Sequence, residues 1–488
     1  MQEIRKIADL EPQIVWKYFH EVTQVPRPSK KEGKMIQYLE SFAAQNHLDI
    51  NKDAVGNILI TKPASPGYEH LPVVILQSHI DMVCEKNSDV VHNFETDPIK
   101  TVVDGEWLRA KGTTLGADNG IGVATQLAVL ASRDIAHGPL ECLFTVDEET
   151  GLTGANALET GFMTGKILLN LDSEDEGQLF IGCSGGKTTK ATFAYDPLPA
   201  PPDLYYVRIA VSGLNGGHSG CDIHKGLGNA NKLLARFLYI IRKEYPVVLS
   251  ALEGGNLHNA IARESNAVIG LRRNDREKVR IVLNHFIAAI EKELKQVDPN
   301  VRMTMETIEP PATCMDDDFA GRLIASLVAC PHGVIAMSHD MEGLVETSTN
   351  LASVKMGNDA TIAVVTSQRS SLDSAKEAVA DQVAATFQLA GATVTQSDGY
   401  PGWAPNPDSK ILRTAQETYR RLFGKDAQIM AIHAGLECGL FLEKYPYLDM
   451  ISFGPTLRDV HSPKECIEIK TVGLWWKHLL ELLKNIPS

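Results

Sequence analysis

Acidic residues and histidines cluster at five places in the sequence. They are His79 and Asp81 in SHIDMV, Asp118 in GTTLGADNG, Glu148 and Glu149 in FTVDEETG, Asp172 in NLDSEDEG, and His461 in TLRDVHSP. Imidazole and carboxylate groups together suit zinc, cobalt or manganese. Two histidines with several carboxylates can hold two such ions about 3.5–4 Å apart, with one carboxylate bridging them. A pair of cations would also relieve the repulsion among the three adjacent acids of FTVDEETG.

Most of these clusters come directly after an apolar run with the length of a buried strand. The runs are VVILQ at 73–77, PLECLFTV at 139–146, KILLNL at 166–171 and MISF at 450–453, and a mostly apolar helix is predicted over 120–132. Strands that alternate with helices indicate an α/β domain, whose ligand site lies at the carboxyl ends of the strands. An isolated HxD or DEE is usually a solvated turn or a helix start. It is therefore the shared position at strand ends that favours a metal site.

The pattern of predicted strands and helices changes after GCSGG at 182–186. A Pro-rich turn, DPLPAPPD at 196–203, leads into strands such as 206–211 and helices such as 228–242 and 373–389. We therefore expect an inserted α+β domain over 187–396, between two parts of the first domain, 1–186 and 397–488. The first domain is expected to resume at GYPGW and to close with a helix that carries Trp475 and Trp476.

The composition is that of an ordinary globular protein and excludes several classes of function. The 488 residues carry a formal net charge of −14 and no long run of Lys or Arg, which argues against nucleic-acid binding. No segment approaches the roughly 18 apolar residues that span a membrane, and the N-terminus lacks the apolar core of a signal peptide. The eight cysteines are scattered without a CxxC pair, so neither a disulfide framework nor a structural zinc site is indicated. A reduced, cytoplasmic protein is expected.

A series of longer motifs runs in order through nearly the whole chain: SHIDMV, DGEWLRAKGTTLGADNGIG, DEETG, NLDSEDEG, GGHSGCDIHKG, GGNLHNAIARE, YPGWAPNP, IHAGLECG and SFGPTLRDVHSP. These motifs resemble those of the M20 metallopeptidase family of co-catalytic zinc peptidases, and most of all its cytosolic Xaa-His dipeptidase branch. The Gly-Pro-His that is usual in that branch reads Asp459-Val460-His461 here, which keeps the histidine. The resemblance implies an α/β catalytic domain with a mixed central β-sheet flanked by helices, and an inserted α+β lid domain.

The resemblance also implies a set of metal ligands. His79 and Asp172 would bind one divalent metal ion. Glu149 and His461 would bind a second ion, and Asp118 would bridge the two. Zinc is expected, with cobalt or manganese as alternatives. Two such ions lower the pKa of a water molecule toward neutrality and polarise the scissile carbonyl.

Two acids next to these ligands would serve the reaction in other ways. Asp81, two residues after His79, would orient and polarise that imidazole, as ligating histidines require. Glu148 would be the general base, which takes the proton of the attacking water and delivers it to the leaving amine. A tight metal ligand is a poor proton acceptor, so a division of roles between Glu148 and Glu149 is chemically reasonable. Asp147 receives no role.

Four further residues are candidates for contacts with a dipeptide substrate. His218 in GGHSG resembles the family's lid-domain histidine that donates to the oxyanion, although a glycine-rich turn with an incidental histidine has the same sequence. Arg369 in SQRSS resembles the lid arginine that grips the C-terminal carboxylate, and Asn259 in GGNLHNAI would be a second contact. Glu437 in HAGLECG would meet the substrate ammonium, or is a structural buried acid.

Hydrolysis of unblocked dipeptides, including Xaa-His dipeptides, is the predicted function. Two alternatives stay open: a related deacylase of N-acyl amino acids, and a non-catalytic binding protein with the same fold, against which the intact Glu148 argues. Cys183 in IGCSGG has no paired histidine motif and is predicted to be a buried or hinge cysteine. GADNGIG lacks the GxGxxG spacing of a phosphate-binding loop. The sequence leaves open whether the chain is a monomer or a homodimer.

Overall fold

The structure, a computed structural model, describes residues 6–487 of the chain. Their contacts divide them into two compact units. The first unit runs up to Gly182, and also contains Pro405–Ala431 and the residues from Leu436 onward. The second unit contains Cys183–Ala404 and the short stretch Ile432–Gly435.

The second unit is larger than the insertion predicted over 187–396, since it begins at Cys183 and extends to Ala404. The reason lies in two backbone pairings: isolated bridges join Gly186 to Tyr400 and Cys183 to Trp403. The GYPGW segment is therefore tied to the start of the second unit. It does not begin the return to the first unit, which occurs a few residues later.

Helices and strands are numbered in chain order. The helices are α1 (Gln13–Gln24), α2 (Gly33–Asn46), α3 (Ala117–Ala131), α4 (Thr153–Ala157), α5 (Ala230–Arg242), α6 (Arg276–Glu293), α7 (Asp317–Ala329), α8 (Asp373–Leu389), α9 (Lys410–Phe423), α10 (Glu437–Lys444) and α11 (Ile469–Lys484). The strands are β1 (Asp49–Lys52), β2 (Ile58–Lys62), β3 (Val74–His79), β4 (Thr101–Asp104), β5 (Trp107–Ala110), β6 (Leu140–Thr145), β7 (Ile167–Asn170), β8 (Gln178–Cys183), β9 (Gly185–Ala194), β10 (Leu198–Pro199), β11 (Tyr205–Ser212), β12 (Val247–Gly254), β13 (Ser265–Leu271), β14 (Arg302–Thr307), β15 (Thr313–Cys314), β16 (Gly333–Met337), β17 (Val345–Met356), β18 (Thr361–Ser370), β19 (Thr393–Gln396), β20 (Gln428–Ile432), β21 (Asp449–Ser452), β22 (Leu457–Arg458) and β23 (Cys466–Glu468).

The first unit is built on an eight-stranded mixed sheet in the order β1-β2-β6-β3-β7-β21-β8-β20. Its central strands β6, β3, β7 and β21 run parallel to one another. Every residue of β3, β6 and β7 is buried, as is usual for parallel strands that are covered on both faces of the sheet. Among the flanking helices, α3 packs against α1 and β3. The predicted α/β fold with a mixed central sheet flanked by helices is confirmed.

The clusters of acids and histidines begin where the central strands end. β3 ends at His79, β6 ends at Thr145 just before the three acids, and β7 ends shortly before Asp172. Since these strands are parallel neighbours, their carboxyl ends lie at the same edge of the sheet. Asp118 lies in the first turn of α3. His461 lies in the loop between β22 and β23, which belong with β5 and β4 to a separate four-stranded sheet.

The second unit has an α+β arrangement around a long antiparallel sheet. The strand order is β14-β11-β13-β12-β17-β18-β9-β19, with β16 alongside part of β17, while β10 and β15 form a separate pair. Helices α5 to α8 pack against the long sheet, and Phe193 makes edge-to-face contacts with Phe319 and Phe387 in the core. Cys183 is buried, as expected. Across residues 6–487, no helix has both the length and the apolar character needed to cross a membrane.

Candidate metal centre

Asp118 lies at the centre of the acid and histidine clusters of the first unit. Its Oδ1 is 3.0 Å from Nε2 of His79, and its Oδ2 is 3.0 Å from Nε2 of His461. The two oxygens of one carboxylate therefore face two different imidazoles. A carboxylate that bridges two metal ions needs this arrangement, because each oxygen must meet a different ion.

Each imidazole has a second carboxylate beside it. Nε2 of His79 is 3.4 Å from Oδ1 of Asp172, and Nε2 of His461 is 3.1 Å from Oε2 of Glu149. The result is two groups of three residues that share Asp118, and each group keeps its candidate ligand atoms within 4.8 Å of one another. The structure thus brings together all five residues that the sequence predicts as metal ligands.

The donor set and one unsatisfied atom both fit divalent cations. Histidine nitrogens and carboxylate oxygens are the donors of catalytic zinc sites. Oε1 of Glu149 is buried and finds no hydrogen-bond partner among residues 6–487. Because a buried polar atom without a partner is destabilising, a cation at this place would satisfy an oxygen that the described residues leave unsatisfied.

Interactions between imidazoles and carboxylates dominate the electrostatics of the cluster. Hydrogen bonds to Asp118 and Glu149 raise the pKa of His461 to about 11. Burial lowers the pKa of His79, but Asp172 and Asp118 outweigh burial and hold that pKa well above its usual range. Burial raises the pKa of Asp118, yet bonds from the two imidazoles keep it well below the usual range. Since metal ligands must be deprotonated, cations would take the place of the imidazole protons.

Asp81 is buried and connects His79 to the segment of the two glutamates. Its Oδ1 is 3.3 Å from Nδ1 of His79 and accepts the N–H of Glu148 at 3.0 Å, while its Oδ2 accepts the N–H of Glu149 at 3.2 Å. The Ser29 hydroxyl donates to Oδ2 as well, at 2.8 Å. Burial raises the pKa of Asp81, but the bond and charge of His79 together with the bonds from Glu148 and Ser29 outweigh burial and lower the pKa to about 2. An ionised Asp81 can therefore orient the imidazole together with the backbone that presents both glutamates.

Glu148 lies beside the predicted ligands. Its carboxylate is within 4.8 Å of ligand atoms of His79 and Glu149. Burial raises the pKa of Glu148 well above its usual range; His79 acts in the opposite direction, and the negative charges of Asp172 and Glu149 add to the rise. A carboxylate with a raised pKa holds a proton more strongly, as a general base that works near neutral pH must.

Asp147, to which the sequence assigns no role, builds the turn that follows β6. Its N–H donates to Oε1 of Glu32 at 3.1 Å, and its Oδ1 accepts from the Thr150 hydroxyl at 2.5 Å. Its Oδ2 accepts from the Thr153 hydroxyl, and the N–H of Thr153 donates to the carbonyl of Asp147. Asp147 thus closes the loop that carries Glu148. The spacing Asp-x-x-Thr-x-x-Thr is a signal that could have indicated this turn.

Glu437 has the contacts of a structural buried acid. It is fully buried, and its Oε2 accepts from the Gln77 amide at 2.6 Å and from the Thr145 hydroxyl at 2.9 Å. Burial raises the pKa of Glu437 to about 8. Its contact with a substrate ammonium stays a prediction, while the bonds to β3 and β6 favour the structural alternative.

In the second unit, His218 is held as a neutral imidazole with a defined tautomer. The backbone N–H groups of Gly220 and Cys221 donate to its Nδ1 at 3.2 and 3.1 Å, so the ring proton is on Nε2. Its own N–H donates to Oδ2 of Asp222 at 2.7 Å. Burial, and after it the charge of Arg369, lowers the pKa of His218 to about 4. A neutral Nε2–H donor has the chemistry that the predicted oxyanion contact requires.

Arg369 belongs to a polar group of residues in the second unit, which we call the Arg369 cluster: His218, Arg369, Tyr400 and His433. Arg369 is 8% exposed; its Nη1 donates to the Tyr400 hydroxyl at 3.0 Å, and its Nε finds no partner within residues 6–487. Ser348 pairs with Arg369 in the β17–β18 ladder, and its hydroxyl is 2.7 Å from Nε2 of His433. A buried guanidinium with an unused N–H is suited to bind a carboxylate.

Asn259 lies next to the turn that holds His218. Its carbonyl accepts the N–H of Ser219 at 2.8 Å, while a contact of its side chain with substrate stays a prediction. Sequence reasoning missed Tyr400 and His433. Their motifs, GYPGW and IHAGLECG, contain the aromatic and imidazole groups, but nothing in the sequence indicates that both motifs reach the strand of the arginine.

Sequence reasoning also missed two buried charged residues near Asp118, namely Arg27 and Glu465. Each is 2% exposed, and both bond to the backbone at the start of α3. Pro26-Arg27-Pro28 reads as a break between helices, and Glu465 lies in an ordinary loop. Neither pattern signals burial, because the partners are backbone atoms far away in the sequence.

Comparisons with known proteins agree over nearly the whole chain. Residues 75–485 match the Peptidase family M20/M25/M40. The cytosol non-specific dipeptidase of Escherichia coli K12 is 41% identical over 483 residues, which cover 99% of each chain. The crystal structure of the aminoacylhistidine dipeptidase from Vibrio alginolyticus superimposes with a TM-score of 0.91 at 43% identity, again over 99% of each chain. A tripeptidase from Staphylococcus aureus shares the fold, with a TM-score of 0.55 at 17% identity over 97% of this chain and 98% of that one.

Proposed function

This chain belongs to the peptidase family M20/M25/M40 and is a metallopeptidase, and we propose that it hydrolyses unblocked dipeptides, including Xaa-His dipeptides, in the cytoplasm. The observation that carries the proposal is the pair of imidazoles, His79 and His461, on the two oxygens of Asp118. The names of the two full-length relatives, a cytosol dipeptidase and an aminoacylhistidine dipeptidase, support the substrate class and the compartment.

Residues of the first unit would hold two divalent cations, with zinc as the expected metal and cobalt or manganese as alternatives. His79 and Asp172 would hold one ion. Glu149 and His461 would hold the other, with Asp118 common to both. When bound, the pair would lower the pKa of a water molecule and polarise the scissile carbonyl.

Glu148 would carry the proton of the reaction. It would take the proton from the attacking water and pass it to the nitrogen of the leaving amine, a role that its raised pKa supports. Asp81 would position this base, since its carboxylate accepts the N–H groups of both Glu148 and Glu149. Glu148 and Glu149 would then differ in role, although the Asp81 carboxylate holds the backbone N–H groups of both.

The second unit would supply contacts to the parts of the substrate that carry negative charge. The Nε2–H of His218 would donate to the oxygen of the tetrahedral intermediate, since its Nδ1 is occupied by two backbone N–H groups. The Nε of Arg369, which has no partner within residues 6–487, would bind the C-terminal carboxylate, with Asn259 as a second contact. Glu437 would meet the substrate ammonium, or serve only to hold β3 and β6 together.

A dipeptide and its N-acetylated form distinguish this function from that of a deacylase. We expect zinc-loaded protein to hydrolyse Ala-His readily and N-acetyl-Ala-His poorly, because the proposed substrate has a free amine. Preference for the acetylated compound would contradict the proposal and favour the deacylase. Hydrolysis of neither compound by protein that binds two zinc ions would favour a non-catalytic binding protein.

His218 would act either in its own chain or across a homodimer, and subunit exchange distinguishes the two cases. A His218→Ala chain and a Glu148→Gln chain, each inactive alone, are mixed under conditions that exchange subunits. Recovery of hydrolysis means that the histidine serves the partner's metal centre. Absence of recovery in demonstrated mixed dimers, or a monomeric protein, means that it serves its own.

A further inference from the structure

Four consecutive backbone N–H groups at the start of α3 point to a single buried carboxylate. Oε2 of Glu465 accepts the N–H groups of residues 115 and 116 at 2.7 and 3.0 Å. Oε1 accepts those of residues 117 and 118 at 2.7 and 3.3 Å. Glu465 follows His461 closely in the sequence. Its carboxylate therefore ties the loop of one predicted ligand to the turn that carries Asp118.

A buried guanidinium makes a second connection to the same turn. Nη1 of Arg27 donates to the carbonyls of Ile80 at 3.1 Å and of Asp81 at 2.6 Å. Nη2 of Arg27 donates to the carbonyl of Gly116. Because Ile80 directly follows His79, the guanidinium ties the loop after β3 to the turn before α3.

Two glycines of GADNGIG leave room for this guanidinium. A Cβ atom at Gly116 would lie 2.5 Å from Nη2 of Arg27, and one at Gly120 would lie 2.6 Å from the same atom. Gly116 also has φ +67°, in the left-handed region that glycine adopts without strain. Gly116 and Gly120 do not have the spacing of a phosphate-binding loop. Their missing Cβ atoms leave space for the guanidinium of Arg27.

Opposite charges accompany the burial of both groups. Arg27 and Glu465 are each 2% exposed; burial lowers the pKa of Arg27, while the negative charges of Asp81 and Glu465 act in the opposite direction. An isolated buried ion is strongly destabilising, and removing one partner leaves the other charge uncompensated. A buried arginine and a buried glutamate that bond to the backbone of distant segments are consequently well placed to hold loops rigidly.

We propose that Arg27 and Glu465 are positioning residues of the metal centre, which fix the segments 79–81, 116–118 and 461–465 relative to one another. Arg27 joins the first segment to the second, and Glu465 joins the second to the third. The inference rests on the proposed function only in that it requires metal ions at this centre. Because misplaced ligands bind a metal less tightly, loss of either residue weakens metal binding without removing a ligand.

A purely structural role would give a different result, and the chain offers matched controls. Lys62 is a cation whose Nζ donates to the carbonyls of Val129 at 2.8 Å and Ser132 at 2.5 Å. Glu141 is a buried carboxylate that accepts the N–H groups of residues 164 and 165 at 2.9 and 3.1 Å. Val129 and Ser132 lie at the opposite end of α3 from Asp118, and residues 164 and 165 precede β7, so the backbone atoms that these two residues bond are not next to a predicted ligand.

The experiment compares Arg27→Met and Glu465→Gln with the controls Lys62→Met and Glu141→Gln in the full chain. Zinc affinity is measured by competition with a chromophoric chelator, and thermal unfolding of the metal-free protein is measured in parallel. We expect Arg27→Met and Glu465→Gln to weaken zinc binding by about 10- to 100-fold. The controls should lose thermal stability but keep the zinc affinity of the unaltered protein.

Two outcomes would overturn the proposal: unchanged zinc affinity in Arg27→Met and Glu465→Gln, or equal weakening in these variants and the controls. Glu465→Gln keeps the size of the side chain, so it decides the matter if Arg27→Met does not fold. Failure of the proposed function is seen separately. Protein that binds two zinc ions yet leaves Ala-His intact would contradict the dipeptidase, while the zinc affinities of the variants would still test the positioning role.

Discussion

The two units surround their histidines with opposite charges. In the first unit, His79 and His461 face carboxylates whose charge outweighs burial, so both pKa values are raised, that of His461 to about 11. In the second unit, burial and the positive charge of Arg369 lower the pKa of His218 to about 4 and that of His433 to about 3. Histidines of the first unit thus lie among carboxylates, where cations can replace the imidazole protons. Histidines of the second unit are held neutral and act as hydrogen-bonding groups.

Local charge explains the difference and indicates what each region can hold. The first unit gathers carboxylates around two imidazoles, and only positive charge relieves their repulsion. The Arg369 cluster has a buried guanidinium whose Nε finds no partner in the described part of the chain, and it suits negative charge. The proposed reaction needs cations that polarise a carbonyl and donors that stabilise a carboxylate and an oxyanion.

Glu148→Gln tests the catalytic side of this comparison and has the largest expected effect. The amide cannot accept the proton of water, so kcat for Ala-His should fall by about 100- to 10,000-fold. Zinc content should stay at two ions per chain, because Glu148 is not a proposed ligand. Steady-state kinetics and metal analysis of the same sample measure both quantities.

The matched control is Glu106→Gln, which alters an exposed acid of the first unit and should leave kcat unchanged. Full activity of metal-loaded Glu148→Gln would show that another group takes the proton. A loss of zinc together with activity would instead place Glu148 among the ligands.

Arg369→Ala tests the anion-binding side, with an intermediate effect. A charge-assisted hydrogen bond contributes about 1.5–3 kcal/mol, so kcat/KM for a dipeptide should fall by roughly 10- to 100-fold. The C-terminal amide of the same dipeptide should be a poor substrate already, and it should lose little more in the variant. Arg208→Ala, on an exposed position of β11, is the control. Equal losses for dipeptide and amide would mean that Arg369 does not bind the carboxylate.

The smallest expected effect is the change that Arg369→Ala makes to the pKa values of His218 and His433, in which the charge of Arg369 comes after burial as a cause. From the ordinary pKa of 6.5 down to about 4, both imidazoles stay neutral in the folded chain, whereas the unfolded chain binds a proton on each. The stability that they contribute is therefore fully present above pH 6.5 and is lost as the pH falls toward their folded pKa values.

NMR titration of the ring protons measures this directly, and Arg369→Ala should raise the pKa of both histidines because a positive charge is removed. Unchanged titration of His218 and His433 in that variant would contradict the electrostatic contrast between the two units. Ring resonances that titrate at the ordinary value in the unaltered chain would contradict it as well.

Sequence patterns located the elements of the first unit closely because its central strands are buried on both faces. The runs 73–77, 139–146 and 166–171 correspond to Val74–His79, Leu140–Thr145 and Ile167–Asn170. Parallel strands of this kind are rich in apolar residues, so the runs locate them, although buried polar residues such as Gln77 and Glu141 also lie within them. The meeting of His79, Glu149 and Asp172 follows from that placement and from the common edge of the sheet. Asp118 reaches the centre from the first turn of α3, and His461 reaches it from the loop between β22 and β23.

The supports of the centre could not be predicted, because they are backbone bonds between distant segments. Glu465 and Gly116 are 349 residues apart in the sequence, and a bond of this kind leaves no periodic trace. The same is true of Asp81, whose carboxylate holds the backbone of Glu148. The sequence HAGLECG likewise cannot reveal that Glu437 is fully buried against Gln77 and Thr145.

X-ray diffraction from crystals of the zinc-loaded protein, with anomalous scattering recorded at the zinc absorption edge, tests the two-ion centre most directly. Two anomalous peaks per chain are predicted, one at each carboxylate oxygen of Asp118. One peak should adjoin His79 and Asp172, and the other should adjoin His461 and Glu149. A single peak per chain at full zinc loading, or peaks that do not adjoin Asp118, would contradict the account.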